Sequence, residues 1–243
     1  MDSKIIQKTP LSEIRARSRE TTVNHPYAPV IVTFLFFCIQ CTMFVCSSFF
    51  AISDALWAQL LYKVLSFFMS VMMGLFVMGR TRYFALLCEE KEPGILNLFL
   101  GFRSKPDRVL LAACIFEGIY FIATLPAYIY SFFHPLSIDD VYHTSIAFGL
   151  LFLGYAAGFF ITIPFEMLYY VLGDFINMPF KKAVRFSLWL MKGNYMRFLG
   201  LTISLIPFEI LGWLSLGIGF LWISPLIQSA YAHFYLDLVK QKQ

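Results

Sequence analysis

A run of 25 residues without a charged side chain, from 28 to 52, constrains the fold of this chain more than any other feature. A helix of that length crosses a hydrocarbon layer about 30 Å thick. Further apolar stretches follow, so we predict six transmembrane helices, at about residues 28–52, 57–78, 109–133, 145–171, 198–216 and 218–238. Each must be helical, because backbone groups in lipid have no water to bond.

Composition supports a membrane protein and argues against a large soluble domain. Hydrophobic residues make up 59% of the 243-residue chain, and charged residues only 14%, whereas soluble domains have about 25% charged residues. A soluble fold of this size has too little interior to hide that much apolar surface. We predict an all-α polytopic protein, with residues 1–26 as an N-terminal cytoplasmic segment and residues 27–243 as one membrane domain.

The basic residues fall on one side of this predicted membrane domain. With a cytoplasmic N-terminus, the outer loops hold Lys63 alone among the 19 lysines and arginines. The others lie in residues 1–26, 79–108 and 172–197 or at the C-terminus. Cytoplasmic loops carry such an excess of positive charge. We therefore predict a multi-pass protein of the cytoplasmic (plasma) membrane with both termini inside.

Between the fourth and fifth predicted spans lies a basic, aromatic segment, FKKAVRFSLWLMKGNYMRF, at residues 180–198. On a helical wheel its apolar residues fill one arc, and the basic side chains fall opposite: Lys181, Lys182, Arg185 and Lys192. We predict an amphipathic helix lying in the membrane plane, with its apolar side in the acyl boundary and its basic side toward anionic headgroups. A solvated loop is the plainer alternative. A calmodulin-like or nucleic-acid-binding patch is disfavoured by the position, and we expect no nucleic-acid partner.

Short segments that precede pairs of spans recur at a spacing of 84 residues, starting near Leu11, Ile95 and Pro179. This spacing favours a threefold repeat in which each unit is an in-plane helix followed by a helical hairpin.

Four polar residues inside the predicted spans are the candidates for chemistry: Glu117, Glu166, Glu209 and Gln228. Ionisable residues at membrane depth mark functional sites by default. Three interpretations stay open for them. They form hydrogen bonds between helices, for example Glu209 with Gln228, or they couple an ion or proton, or they contact a substrate.

Motifs of known enzyme chemistry are missing from the sequence. It contains no Walker loop, GxSxG or HExxH, and its single CxxC, Cys38 and Cys41, lies in an apolar span without a second pair. We expect no enzymatic activity, no cofactor and no metal site.

The C-terminal third carries a recognisable pattern. It combines an Asp-containing turn, a helix ending Leu-Met-Lys-Gly, a Gly-Trp span, a Leu-Gly-Ile-Gly turn and a last span that ends Phe-Tyr. The segment thereby resembles the bacterial integral-membrane family catalogued as domain of unknown function 975. That family is similar to the membrane domain of some glycerophosphoryl diester phosphodiesterases. The matching positions include Asp174, Gly193, Trp213, Gly217, Gly219, Pro225 and Tyr235. The resemblance implies architecture and no established activity.

Two functions from different classes remain. The first is a non-enzymatic scaffold or accessory subunit of a membrane complex, with the bilayer and another membrane protein as partners. The alternative is a transporter of small solutes or ions, or a lipid-handling protein, indicated by Glu117, Glu209 and the prolines within spans.

Overall fold

The computed structural model describes residues 8–48, 56–134 and 141–242, and these are helical with no strand among them. The α-helices are α1 (Leu11–Asn24), α2 (Ala28–Ser48), α3 (Leu56–Cys88), α4 (Leu100–Arg103), α5 (Pro106–Phe133), α6 (Val141–Thr162), α7 (Leu168–Asp174), α8 (Phe180–Met191), α9 (Tyr195–Leu214) and α10 (Phe220–Lys242). Two 3₁₀ segments, Ile95–Phe99 and Ile163–Phe165, precede α4 and α7.

Five helical segments are long and apolar enough to cross a membrane, so the protein is membrane-embedded. They are Ala28–Cys46, Leu61–Cys88, Pro106–Phe133, Val141–Asp174 and Tyr195–Leu214. Helix α10 has the length but is not among them. It carries Gln228, His233 and Asp237, which lower its hydropathy.

The predicted span limits were wrong at two helices. Helix α3 continues to Cys88, ten residues beyond the predicted end, because its charged residues Arg80 and Arg82 pack inside the protein instead of marking a loop. The fourth span is interrupted by the 3₁₀ segment at Pro164, since proline cannot donate the hydrogen bond that continues an α-helix. The last residues of the predicted first span lie outside the described residues.

One end of the bundle holds most of the tightly buried core. We call it the basal end: α1, the last two turns of α3, α7, α8 and the second half of α10. Its fully buried side chains include Tyr83, Phe84, Leu190, Phe234 and Tyr235. Toward the opposite end, large apolar side chains are mostly exposed. That exposure suits helices surrounded by lipid, where apolar surface needs no protein cover.

Each short segment that precedes a hairpin packs on the second helix of another hairpin. Helix α1 lies on α10, residues 95–103 lie on α3, and α8 lies on α7 and the 3₁₀ turn before it. The contact with α3 is close, because a Cβ at Gly79 would stand 2.0 Å from the Leu98 carbonyl oxygen. A Cβ at Gly101 would stand 2.2 Å from that of Leu75.

Helix α8 has the predicted location in the chain, but its apolar side does not meet the acyl boundary as expected. Ala183, Leu190 and Met191 are completely buried in the protein core. The basic residues predicted for the opposite side are exposed: Lys181, Lys182, Arg185 and Lys192. Amphipathic sequence alone cannot distinguish a lipid partner from a protein partner, because both present apolar surface.

Candidate functional site

Two residues singled out by the family pattern, Asp174 and Tyr235, meet at the centre of the basal end. Arg82 Nη1 donates to one carboxylate oxygen of Asp174, and the Tyr235 hydroxyl donates to the other. The Tyr235 ring also stacks on Tyr170, with centroids 5.1 Å apart. The Arg82 and Asp174 side chains are each 20% exposed, so the pair is largely shielded from solvent.

This triad joins the three hairpins. Arg82 comes from the second helix of the first hairpin, Asp174 from the helix that continues the second, and Tyr235 from the second helix of the third. Both oxygens of the carboxylate are engaged, one of them with a charged donor, and such hydrogen bonds are about twice as strong as neutral ones. The triad is therefore a structural tie and offers a ligand little unused bonding capacity.

A second group of polar side chains retains hydrogen-bonding capacity that the protein does not use. A polar groove of about 430 Å³ runs between α3, α5 and α6 within the apolar part of the bundle. Its hydroxyl, amine and carboxyl groups belong to Tyr62, Lys63, Ser66, Ser70, Glu117, Tyr120, Thr124, Tyr128 and Tyr155. Phe67 and Phe121 complete the lining.

The groove arises from polar residues at helical spacing. On α5, Glu117 is followed by Tyr120, Thr124 and Tyr128, three, seven and eleven residues later. Residues at such spacings lie along one face of a helix. At a rise of about 1.5 Å per residue the stripe is about 16 Å long. Helix α3 faces it with Lys63, Ser66 and Ser70, again three and seven residues apart.

The two charged groups lie toward opposite ends of the groove and do not pair. The Lys63 ammonium sits 3.7 Å from the centroid of the Tyr128 ring, a cation–π contact that holds it within the groove. Glu117, eleven residues before Tyr128, makes no hydrogen bond or ion pair with any described residue. The groove thus presents a cation, a carboxyl group and a row of hydroxyls between them.

Glycines on α6 allow this helix to pack closely against α5 at the groove. A Cβ at Gly158 would stand 2.6 Å from the Tyr120 ring, and one at Gly154 would stand 2.6 Å from the Ala123 carbonyl oxygen. Small residues let transmembrane helices approach closely. Here they bring α6 against α5, so that the Tyr120 and Tyr155 rings lie 6.0 Å apart. The Thr162 hydroxyl lies 3.5 Å from that of Tyr120.

The structure separates the polar residues predicted within the spans. Glu117 lies in the groove, whereas Glu166, Glu209 and Gln228 are not among its lining residues. Glu166 is partly buried beside the break at Pro164. Glu209 and Gln228 are both partly exposed, and no hydrogen bond joins them in the described part of the chain.

The remaining family positions shape turns and helix ends. Gly193 (φ 82°) follows the end of α8 and Gly217 (φ 86°) lies in the turn before α10, and these left-handed conformations favour glycine. The Gly219 amide donates to the Ser215 hydroxyl at 2.8 Å. Trp213 is 75% exposed, and Pro225 is buried within α10.

A second cavity, of about 340 Å³, lies at the basal end between α1 and α10. Several of its charged residues already have partners. Arg17 pairs with Glu13 at 2.6 Å, and Asp237 pairs with Arg197 at 2.8 Å. His233 Nε2 lies 2.9 Å from the Thr21 hydroxyl. The groove, whose charges are unpaired, is therefore the stronger candidate for ligand binding.

Sequence reasoning found Glu117 but missed its companions. The hydroxyls were overlooked because tyrosine, serine and threonine occur singly in most apolar helices. The stripe that begins at Glu117 and the matching stripe on α3 were the usable signal. Arg82, the partner of Asp174, was missed because it was assigned to a basic loop.

Comparison with known proteins yields one match. A family model described as "Protein of unknown function (DUF975)" matches residues 8–242. No curated protein and no solved structure matches the chain. The matched region contains both the triad and the groove.

Proposed function

The chain belongs to the DUF975 family of proteins of unknown function, and because that description names no activity, we propose a function from the groove: lipid handling. The groove binds the polar part of an amphiphile while the apolar part remains among lipid tails. The match of the family model to residues 8–242 confirms, at the level of the family, the resemblance noted in the sequence.

The observation that carries the proposal is an unpaired carboxyl group in a polar groove at membrane depth. Leaving Glu117 without a partner in an apolar span costs free energy. A ligand that supplies a donor offsets that cost, and a membrane-dissolved amphiphile reaches the site without crossing water.

Exposure on the groove's flank supports entry from the lipid. Lys63, Phe121, Tyr128 and Tyr155 are exposed, and around them lie side chains that face lipid. Aromatic rings with hydroxyl tips have an apolar body and a polar end. They suit a ligand that is itself amphipathic, with an extended polar head that spans several of the hydroxyls.

The test compares two identical substitutions in different spans. Glu117→Gln and Glu209→Gln are each purified from the native membrane in mild detergent, and the co-purifying lipids are quantified by mass spectrometry. A charge-assisted hydrogen bond is worth about 1.5–3 kcal/mol, so Glu117→Gln should lower retention of the bound lipid about tenfold. Glu209→Gln, outside the groove, should retain it as the wild type does. Equal retention by all three proteins would refute the groove as the binding site.

The scaffold or accessory role remains a second candidate, favoured by the exposed basic side of α8. Arg185 and Lys182 flank a shallow depression beside Trp189, which suits an acidic partner surface or anionic headgroups. Native mass spectra of gently extracted protein test this role. A protein bound at fixed stoichiometry would support it, and a chain that carries lipid alone would not.

Our proposed placement in the membrane has six spans, with α10 as the sixth, and both termini in the cytoplasm of a plasma membrane. The basal end then faces the cytoplasm, and α8 lies in the membrane plane with its basic side toward headgroups. The distribution of basic residues supports this orientation. The cyclic packing of the three short segments on the second helices of other hairpins supports a threefold repeat.

A further inference from the structure

Arg80 is a cation near the basal end without an anion. Its guanidinium carbon lies 3.9 Å from the centroid of the Phe36 ring on α2. Its Nε is sealed from solvent and has no hydrogen-bond partner. The side chain as a whole is only partly buried, and it forms no hydrogen bond or ion pair with any residue that the structure describes.

Three other arginines near the basal end have acceptors. Arg82 bonds the Asp174 carboxylate, and Arg197 bonds Asp237 at 2.8 Å. Arg108 donates from both Nη atoms to the carbonyl oxygens of Ile176 and Met178. Arg80 differs from these three, although guanidinium groups inside proteins normally find carboxylate or carbonyl acceptors.

Hydroxyl groups without partners occur on the elements around Arg80. The hydroxyls of Tyr83, Tyr170 and Thr33 are also sealed off without hydrogen-bond partners. Tyr83 lies one turn from Arg80 along α3, and Thr33 lies one turn from Phe36 on α2. A hydroxyl can donate a hydrogen bond to an anion, so these groups and the guanidinium together can serve an anionic ligand.

The orientation proposed above brings Arg80 toward the cytoplasmic headgroups. Arg80 is the first arginine of α3 and comes eight residues before the helix ends at Cys88, which is the cytoplasmic end in that orientation. Arginine forms bidentate hydrogen bonds to phosphate. We propose that Arg80 and the Phe36 ring beneath it form a binding site for a phosphate group, supplied by an anionic phospholipid or by a free phosphate. This site is separate from the polar groove and does not depend on its proposed function.

The experiment uses full-length protein in nanodiscs of phosphatidylcholine with a minor share of phosphatidylglycerol. Arg80→Met keeps the side chain's apolar stem and removes the charge. Arg103→Met removes one exposed charge at the same end of the bundle and serves as the matched control. The phosphatidylglycerol that survives transfer into zwitterionic detergent is quantified. A charge near a membrane surface is worth about 1 kcal/mol, so Arg80→Met should retain about fivefold less of this lipid, and the control as much as the wild type.

Thermal unfolding distinguishes the two sources of phosphate. Wild-type protein in lipid-free zwitterionic detergent is titrated with inorganic phosphate and, separately, with phosphatidylglycerol. Stabilisation by the lipid alone assigns the site to a headgroup, and equal stabilisation by inorganic phosphate assigns it to a free anion. Arg80→Met should lose either response. It should also be at least as stable as wild type without an anion, because an unpaired cation destabilises the fold.

Two results would overturn the proposal. One is a wild-type protein that neither anion stabilises, a measurement that needs no variant to fold. The other is an Arg80→Met protein that retains phosphatidylglycerol as the control does. Failure here is distinguishable from failure of the groove, because this site is tested by Arg80→Met and the groove by Glu117→Gln.

Discussion

At the centre of the basal end, the Asp174 carboxylate is paired on both oxygens, whereas in the polar groove the Glu117 carboxyl has no partner among the described residues. Both belong to helices of the second hairpin, and both are removed from bulk water. They differ in what surrounds them. Asp174 meets an arginine and a tyrosine from two other hairpins, and Glu117 faces an open groove.

The difference separates structural polar groups from functional ones. A paired carboxylate stabilises the arrangement that pairs it, since removing its arginine would leave a charge without a partner in an apolar environment. An unpaired carboxyl group contributes no such stability and is available to a ligand. Substitutions at the basal end should therefore reduce folding stability, and those in the groove should reduce binding.

The largest effect is expected where backbones touch. Gly79→Ala would place a Cβ 2.0 Å from the Leu98 carbonyl oxygen, which belongs to the backbone and cannot rotate away. Overpacking of this kind costs about 3 kcal/mol, at the upper end of its usual range. Denaturation by titrated dodecyl sulfate in mixed micelles measures the loss. Gly118→Ala on α5 meets no atom within 4 Å and should be neutral or stabilising by up to about 1 kcal/mol. Equal effects of the two substitutions would contradict the close packing at Gly79.

The next effect is at the triad. Asp174→Asn removes the charge that Arg82 requires and should cost about 2 kcal/mol, a value reduced for the partial exposure of the pair. Tyr235→Phe removes one hydrogen bond and should cost about 1 kcal/mol. Glu92→Gln, at an exposed acid without a described partner, should leave stability unchanged. If Asp174→Asn also left it unchanged, the triad would not be the tie that joins the hairpins.

Long apolar runs predicted the helices well, because the cost of unpaired backbone groups in lipid leaves one secondary structure. The family pattern also marked Asp174 and Tyr235 from the sequence. Their contact could not be predicted, since it depends on how the three hairpins assemble. An aspartate or a tyrosine in a sequence does not indicate which residue it will contact. Arg82 was assigned to a loop because a charged residue was taken to mark the end of the transmembrane span. In the structure that charge is paired, and α3 continues to Cys88.

Helix α8 shows a second limit of sequence reasoning. The helical wheel divided the residues of α8 correctly into an apolar and a basic side. The apolar side is nevertheless covered by protein, since Ala183, Leu190 and Met191 are buried in the core. Hydrophobic periodicity reports that a face avoids water and does not report what covers it. The polar groove shows the opposite case. Its polar stripes on α3 and α5 are visible in the sequence, but they form a site only because the two helices face each other.

The smallest effect concerns the cation of the groove. Lys63 lies 3.7 Å from the Tyr128 ring centroid and 5.9 Å from that of Tyr62. A cation–π contact at an exposed site is worth about 0.5–1 kcal/mol. A double-mutant cycle of Lys63→Met with Tyr128→Leu should show coupling of about that size, and a cycle with Tyr62→Leu should show less. Equal coupling in both cycles would mean that the ammonium is not held over Tyr128. Lys63 would then lie outside the groove, and the comparison with the paired basal charges would rest on Glu117 alone.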